Sequence, residues 1–204
     1  KQDIELADVI VLANVGDLPD EGIESLTESV RGGTGLVVYA GDQMDDFAVE
    51  RILGRLIPLS YLSSVDPEAG ESHRLRVAGQ PNRITRELGR LEAELSDCIV
   101  RGYHEVTPSS QANVVLSLSN GKPLLFTQNA GEGKVAFLAT GPGRRWSTLP
   151  LNPAGPILFH LLLDELPPAG IQRVFGVGES LEIEVPAGSL GAEPKLAHPN
   201  GQMS

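Results

Sequence analysis

The pattern of apolar and polar positions divides this chain into a helix-and-strand half and a strand-rich half. Asp8 to Val15 (DVIVLANV) is a nearly continuous apolar run, as expected of a central parallel strand covered on both faces. In the following GDLPDEGIESLTESVRGG, Ile23, Leu26, Thr27 and Val30 recur at helical spacing. Asp17 is the predicted N-cap, acids fill the first turn, and Gly32 and Gly33 end the helix. GLVVYA then reads as a second buried strand, completing a β-α-β unit whose crossover is expected to be right-handed. From Gln43 the spacing predicts another amphipathic helix, with Met44, Phe47, Ala48, Ile52 and Leu56 on one side and Pro58 at its end. A short strand is expected at Arg74 to Val77. Ile84, Leu88, Leu91 and Leu95 then recur at helical spacing, interrupted by Gly89.

The second half carries four strand-like segments: CIVRGYHEV, NVVLSLSNG, KPLLFTQNA and GKVAFLATG. Asn120-Gly121 is a hairpin signal, and AGEG at 130–133 reads as a second tight turn. Lys134 to Thr140 is apolar enough to return to the central sheet. After the loop GPGRRWSTLPLNP, an apolar helix runs from Asn152-Pro153 through Leu166. PPAG at 167–170 marks a boundary. Beyond it RVFGVGESLEIEVPAG alternates as a strand, with Leu181, Ile183 and Val185 on one face. The expected organisation is an α/β domain over 1–168 and a β-rich tail over 171–204. So short a tail cannot bury a core alone, so it packs on the first domain or begins a truncated β-sandwich-like domain.

Composition narrows the partners. A net charge of −11 opposes general binding to nucleic acid or to anionic lipid, so neither nucleic acid nor direct membrane contact is expected. The lone Cys98 can form neither an intrachain disulfide nor a cysteine zinc site. The polar start, KQDIE, shows no signal peptide, and no segment reaches the ~18 apolar residues of a spanning helix. The chain reads as a soluble fragment.

The order of elements in 7–45 (ADVIVLANVGDLPDEGIESLTESVRGGTGLVVYAGDQMD) resembles the central part of the class I glutamine amidotransferase-like fold. The nucleophile motif of that superfamily is approximately Cys-x-Gly-x-Gln. The matching residues are Tyr39-Ala40-Gly41-Asp42-Gln43, so Gly41 and Gln43 fit while Tyr39 stands in place of the Cys. Over most of 7–166 the chain is similar to the amidotransferase-like domains of large bacterial membrane proteins that also carry von Willebrand factor A modules. The segment from Asn120 to Leu166, with its hairpin and its Trp-Ser-x-Leu-Pro stretch, resembles the end of such domains. VGESLEIEVPAG resembles the opening strand of the β-sandwich-like domain that follows them. The resemblance implies a three-layer flavodoxin-like sheet with a β-hairpin extension around 98–133. It also implies a membrane-anchored parent whose membrane side is open, and partners among that parent's other domains or among other proteins.

Glutaminase chemistry needs a Cys thiolate, a His base and a carboxylate that orients it. Tyr39 supplies a phenol of pKa ~10 instead. Cys98 lies far along the chain, His160 reads as a core or boundary residue of an apolar helix, and His198 sits in a turn beyond the domain. The expectation is therefore a non-enzymatic recognition module without cofactor or metal. Asn14, Gly16, Tyr39, Gly41, Asp42, Gln43 and Thr140 are candidates for a vestigial pocket. Asp42, Asp45 and Asp46 could attract a hard cation, but capping of the next helix is the favoured reading. Arg144, Arg145 and Trp146 follow a core strand and could grip an anion and stack on a ring, or could wedge the loop against the core. Tyr103 and His104 fall on opposite faces of a strand, and no partner for either is visible. The rival reading is a hydrolase or transferase built on Tyr39, Asp42, Asn14 and Arg144 at the carboxyl edge of the sheet.

Overall fold

The structure, a computed structural model, describes residues 7–167. Its strands are β1 (Val9–Ala13), β2 (Gly35–Tyr39), β3 (Leu59–Val65), β4 (His73–Val77), β5 (Ile99–Val100), β6 (Tyr103–Pro108), β7 (Asn113–Leu118), β8 (Pro123–Ala130) and β9 (Gly133–Leu138). Its helices are α1 (Asp20–Arg31), α2 (Asp46–Leu53), α3 (Arg83–Gly89), α4 (Glu92–Asp97) and α5 (Ala154–Glu165), with one 3-10 turn at Leu149–Leu151. The fold class is α/β.

The main sheet runs β1-β2-β9-β8-β7-β4-β5. β1, β2 and β9 are parallel, and from β9 outward every pairing is antiparallel. β2 sits inside the parallel half because Leu36, Val37 and Val38 are β-branched or apolar and need cover on both faces; all three are fully buried. β9 joins the two halves, and Phe126 of β8 pairs with Phe137 of β9, their rings 5.4 Å apart at the centre of the core. Tight turns close both hairpins of this half, with Gly121 at φ 85 between β7 and β8 and Gly131 at φ 70 between β8 and β9.

α1 forms where its apolar stripe predicts. Ile23, Leu26, Thr27 and Val30 are buried, and the Thr27 hydroxyl donates to the Ile23 carbonyl, which satisfies it inside the helix. Asp20 and Glu21 lie in the first turn and Arg31 in the last, complementing the helix dipole.

Several expectations are corrected. β1 is an edge strand of the described sheet, with Val11 40% exposed, because its far side has no described strand to cover it. The N-cap of α1 is Pro19; Asp17 instead pairs with Arg51, which also holds Asp20 and the Leu18 carbonyl. α2 begins at Asp46 rather than Gln43, which rotates its buried face to Ala48, Val49, Ile52 and Leu53 and leaves Phe47 66% exposed. The stretch 83–96 is two helices broken after Gly89, each donating its apolar residues to the same core. The strands expected as an extension at 98–133 are not appended: β7 and β8 belong to the main sheet, and β6 pairs with β3 in a separate antiparallel ribbon. His160 is exposed on α5. The β-rich tail and His198 lie outside the described residues.

Candidate functional site

Three parallel strands deliver their carboxyl ends to one place. β1 ends at Ala13 and Asn14, β2 at Tyr39 and Ala40, and β9 at Leu138 and Ala139. The Asn14 amide donates to the Tyr39 carbonyl and the Ala40 amide to the Leu138 carbonyl, so the ladder continues past the last paired residues. Open α/β sheets bind ligands at such an edge.

Asn14 fastens the elbow after β2. It holds the left-handed backbone conformation at φ 58, which Asn tolerates better than most residues. Its Oδ1 accepts from the Gln43 amide at 2.9 Å, and its Nδ2 donates to Asp42 at 2.6 Å. The approach is tight: a Cβ on Gly41 would lie 2.4 Å from the Asn14 side chain, and one on Gly16 would lie 2.1 Å from the Gln43 carbonyl. The candidates Asn14, Gly16, Tyr39, Gly41, Asp42 and Gln43 are thus brought together at a closely packed corner. Thr140 stands apart, fully buried, with its hydroxyl donated to the Gly102 carbonyl at 2.8 Å.

Beneath the elbow lies His104 of β6, whose partners no local pattern reveals. His104 is 1% exposed. Its Nε2 is 3.1 Å from the Gly41 carbonyl and its Nδ1 is 3.1 Å from the Tyr61 hydroxyl. A carbonyl only accepts, so Nε2 carries the proton and Nδ1 accepts from Tyr61. The imidazole stacks on Trp146 with ring centroids 5.3 Å apart and planes 15° from parallel. Burial pushes the imidazole below its ordinary pKa, opposed in part by the backbone carbonyls of Gly41 and Ala40. Both ring nitrogens are engaged and the ring is sealed, so this neutral imidazole supports the elbow rather than serving a group on it. Nothing local marks Tyr61, because β3, LSYLSSV, has no clean alternation and pairs with a strand some forty residues later.

The acids divide as capping requires. Asp45 is the N-cap of α2, its Oδ1 accepting from the Ala48 amide at 2.8 Å, and Asp46 lies in the first turn. Among the described residues no group of three or more His, Cys, Asp or Glu side chains could hold a metal ion. In the loop after β9, Trp146 is the wedge: it is 7% exposed, and a Cβ on Gly141 would lie 2.7 Å from its indole. Arg145 approaches Asp42 at 3.7 Å, and Arg144 points into solvent without a described partner. Tyr39 is half-buried, burial raises its phenol above the ordinary range, and its hydroxyl meets no described base. Of the rival set, Asn14 and Asp42 touch each other, while Arg144 does not join them. Cys98 is buried and its thiol is pushed up to about 11, first by burial and then by Asp97.

No helix among the described residues is long and apolar enough to cross a membrane. No family model matches the chain, and neither does any curated protein. Solved structures do. Two cytoplasmic proteins of Salmonella typhimurium are similar: STM3548 at 21% identity and a TM-score of 0.63, covering 82% of this chain and 74% of that one, and STM1381 at 17% and 0.65, covering 81% and 74%. A β-galactosidase from Bacillus circulans sp. alkalophilus matches at 12% identity and a TM-score of 0.53; the match covers 78% of this chain but only 23% of that enzyme. At these identities the similarity is one of fold, and fold does not fix function.

Proposed function

We propose that this chain is a non-catalytic amidotransferase-like module, of three-layer flavodoxin-like type, that serves protein–protein or ligand recognition within a larger bacterial protein. One observation carries the reading. The place of the nucleophile holds Tyr39, and the one imidazole beside the elbow, His104, spends both nitrogens on Gly41 and Tyr61 and presents none to Tyr39. A thiolate–imidazole relay has neither its first nor its second member at this corner. The parallel strands, the Gly-rich end of α1 and the elbow after β2 support the amidotransferase-like assignment. Membrane anchorage of the parent rests on the sequence resemblance alone; the matched Salmonella proteins are themselves described as cytoplasmic.

The test is ammonia release from L-glutamine by the purified 204-residue chain, read by a coupled dehydrogenase assay. Release at the buffer rate is expected. Release above it that disappears in Tyr39→Phe would overturn the proposal.

A further inference from the structure

A second region, away from the elbow, has the chemistry of a ligand site. A cleft of about 560 Å³ opens over the antiparallel half of the sheet, lined by Ser72, Arg74, Arg76, Glu92, Ser96 and Ser119. That volume is in the range of small-molecule sites.

Strand geometry fixes its donors. Arg74 and Arg76 are two residues apart on β4, so they project from one face with Cα atoms about 6.6 Å apart. Leu75 between them points the other way and is 1% exposed in the core. The Arg74 guanidinium is aimed by the Ser96 carbonyl, to which its Nη1 donates at 2.7 Å; Asp97 stands at 3.9 Å from the same nitrogen. Its remaining N–H groups have no hydrogen-bond partner among the described residues. Arg76 has no hydrogen bond or ion pair to a described residue, and neither has Glu92 of the same lining. Ser119 Oγ accepts from the Arg74 amide, which leaves its own proton to donate. Arg74, with one Nη committed to Ser96 and near Asp97, and Arg76, without a described partner, are therefore placed side by side with hydroxyl donors on a chain of net charge −11.

We infer that this cleft binds a phosphate monoester on a small hydroxylated carbon skeleton. The planar donors of Arg74 and Arg76 match the oxygens of a phosphate, with Ser119 as an added donor. Glu92, exposed in the same lining, repels the phosphate but accepts hydrogen bonds from skeleton hydroxyls, so it favours the ester over the free anion. This inference does not depend on the elbow being silent.

The test is a titration of the full chain, followed by amide chemical shifts at constant ionic strength, first with inorganic phosphate and then with glucose 6-phosphate. Saturable shifts confined to 72–76, 92–96 and 117–119 are expected, about tenfold tighter for the sugar phosphate. Arg76→Gln should weaken both ligands about tenfold, and Arg76→Lys less, since the charge stays while the fork is lost. Circular dichroism checks that each variant is folded. Glu92→Gln should tighten inorganic phosphate and erase the preference for the sugar phosphate. Shifts that never saturate, that centre on Arg144 and Arg145, or that persist unchanged in Arg76→Gln would overturn the site. Equal affinity for the two ligands in the parent chain would overturn the ligand class.

Discussion

His104→Phe isolates what the imidazole beneath the elbow contributes. The substitution keeps an aromatic ring against Trp146 and removes both hydrogen bonds. The Gly41 carbonyl then loses its side-chain donor in a buried setting, at about 1–3 kcal/mol, while the half-buried Tyr61 hydroxyl can turn to water at small cost. The expected loss is about 2 kcal/mol by urea denaturation at pH 7. His104→Ala adds a ring-sized void, which raises the loss to about 3–5 kcal/mol. The pH dependence gives a second reading. The imidazole is depressed in the folded state and has its ordinary pKa of ~6.5 when unfolded. Below 6.5 the unfolded chain takes up a proton that the folded chain refuses, so this contribution is whole above that pH and is lost as pH falls toward the folded value. One proton's difference between the two states caps the slope at about 1.4 kcal/mol per pH unit. His104→Phe lacks that loss, so its deficit relative to the parent should shrink as the pH falls from 7 through ~6.5 and below. A variant as stable as the parent at pH 7, or a deficit that stays constant over that window, would refute the buried neutral imidazole.

Cys98 should resist a thiol reagent at pH 8 in the native chain and react in urea, because its thiol is buried and raised to about 11; fast native labelling would contradict its placement. Asp45→Ala should cost about 1 kcal/mol through the lost cap of α2, whereas Asp46→Ala should cost less than half of that, a difference readable by thermal melting. Gly16→Ala drives a Cβ to 2.1 Å from the Gln43 carbonyl, so it should destabilise by about 2 kcal/mol or more and disturb amide shifts at the elbow; a silent variant would show that the loop yields freely.

What could be read from the residues alone follows the reach of the interactions. α1, β2 and the β7–β8 and β8–β9 hairpins were legible because periodicity, terminal glycines and Asn-Gly turns act within a few residues. α2 starts three residues later than the apolar spacing predicts, since Asp45 offers the capping oxygen, and that shift turns Phe47 outward. β3 was invisible because its partner β6 is distant and its own residues are serine-rich and half-exposed. The elbow's fastening by Asn14 and the burial of His104 against Tyr61 and Trp146 join three or four separated segments, and no local pattern encodes such meetings. Arg145, not Arg144, faces Asp42, a choice made by the loop's path around Trp146.

The pairing of β2 with β9 sets the order in which this chain can be completed. Leu36 meets Val135, roughly a hundred residues later, and at ribosomal speeds of about 5–20 residues per second the wait is about 5–20 s. During that interval GLVVY has β1 on one side and an open ladder on the other, with three fully buried residues not yet covered. Such an edge is a template for pairing with another nascent chain. Emergence of the β8–β9 hairpin, whose own pairing is local, closes the β2 ladder in one step and ends the exposure of that strand's edge.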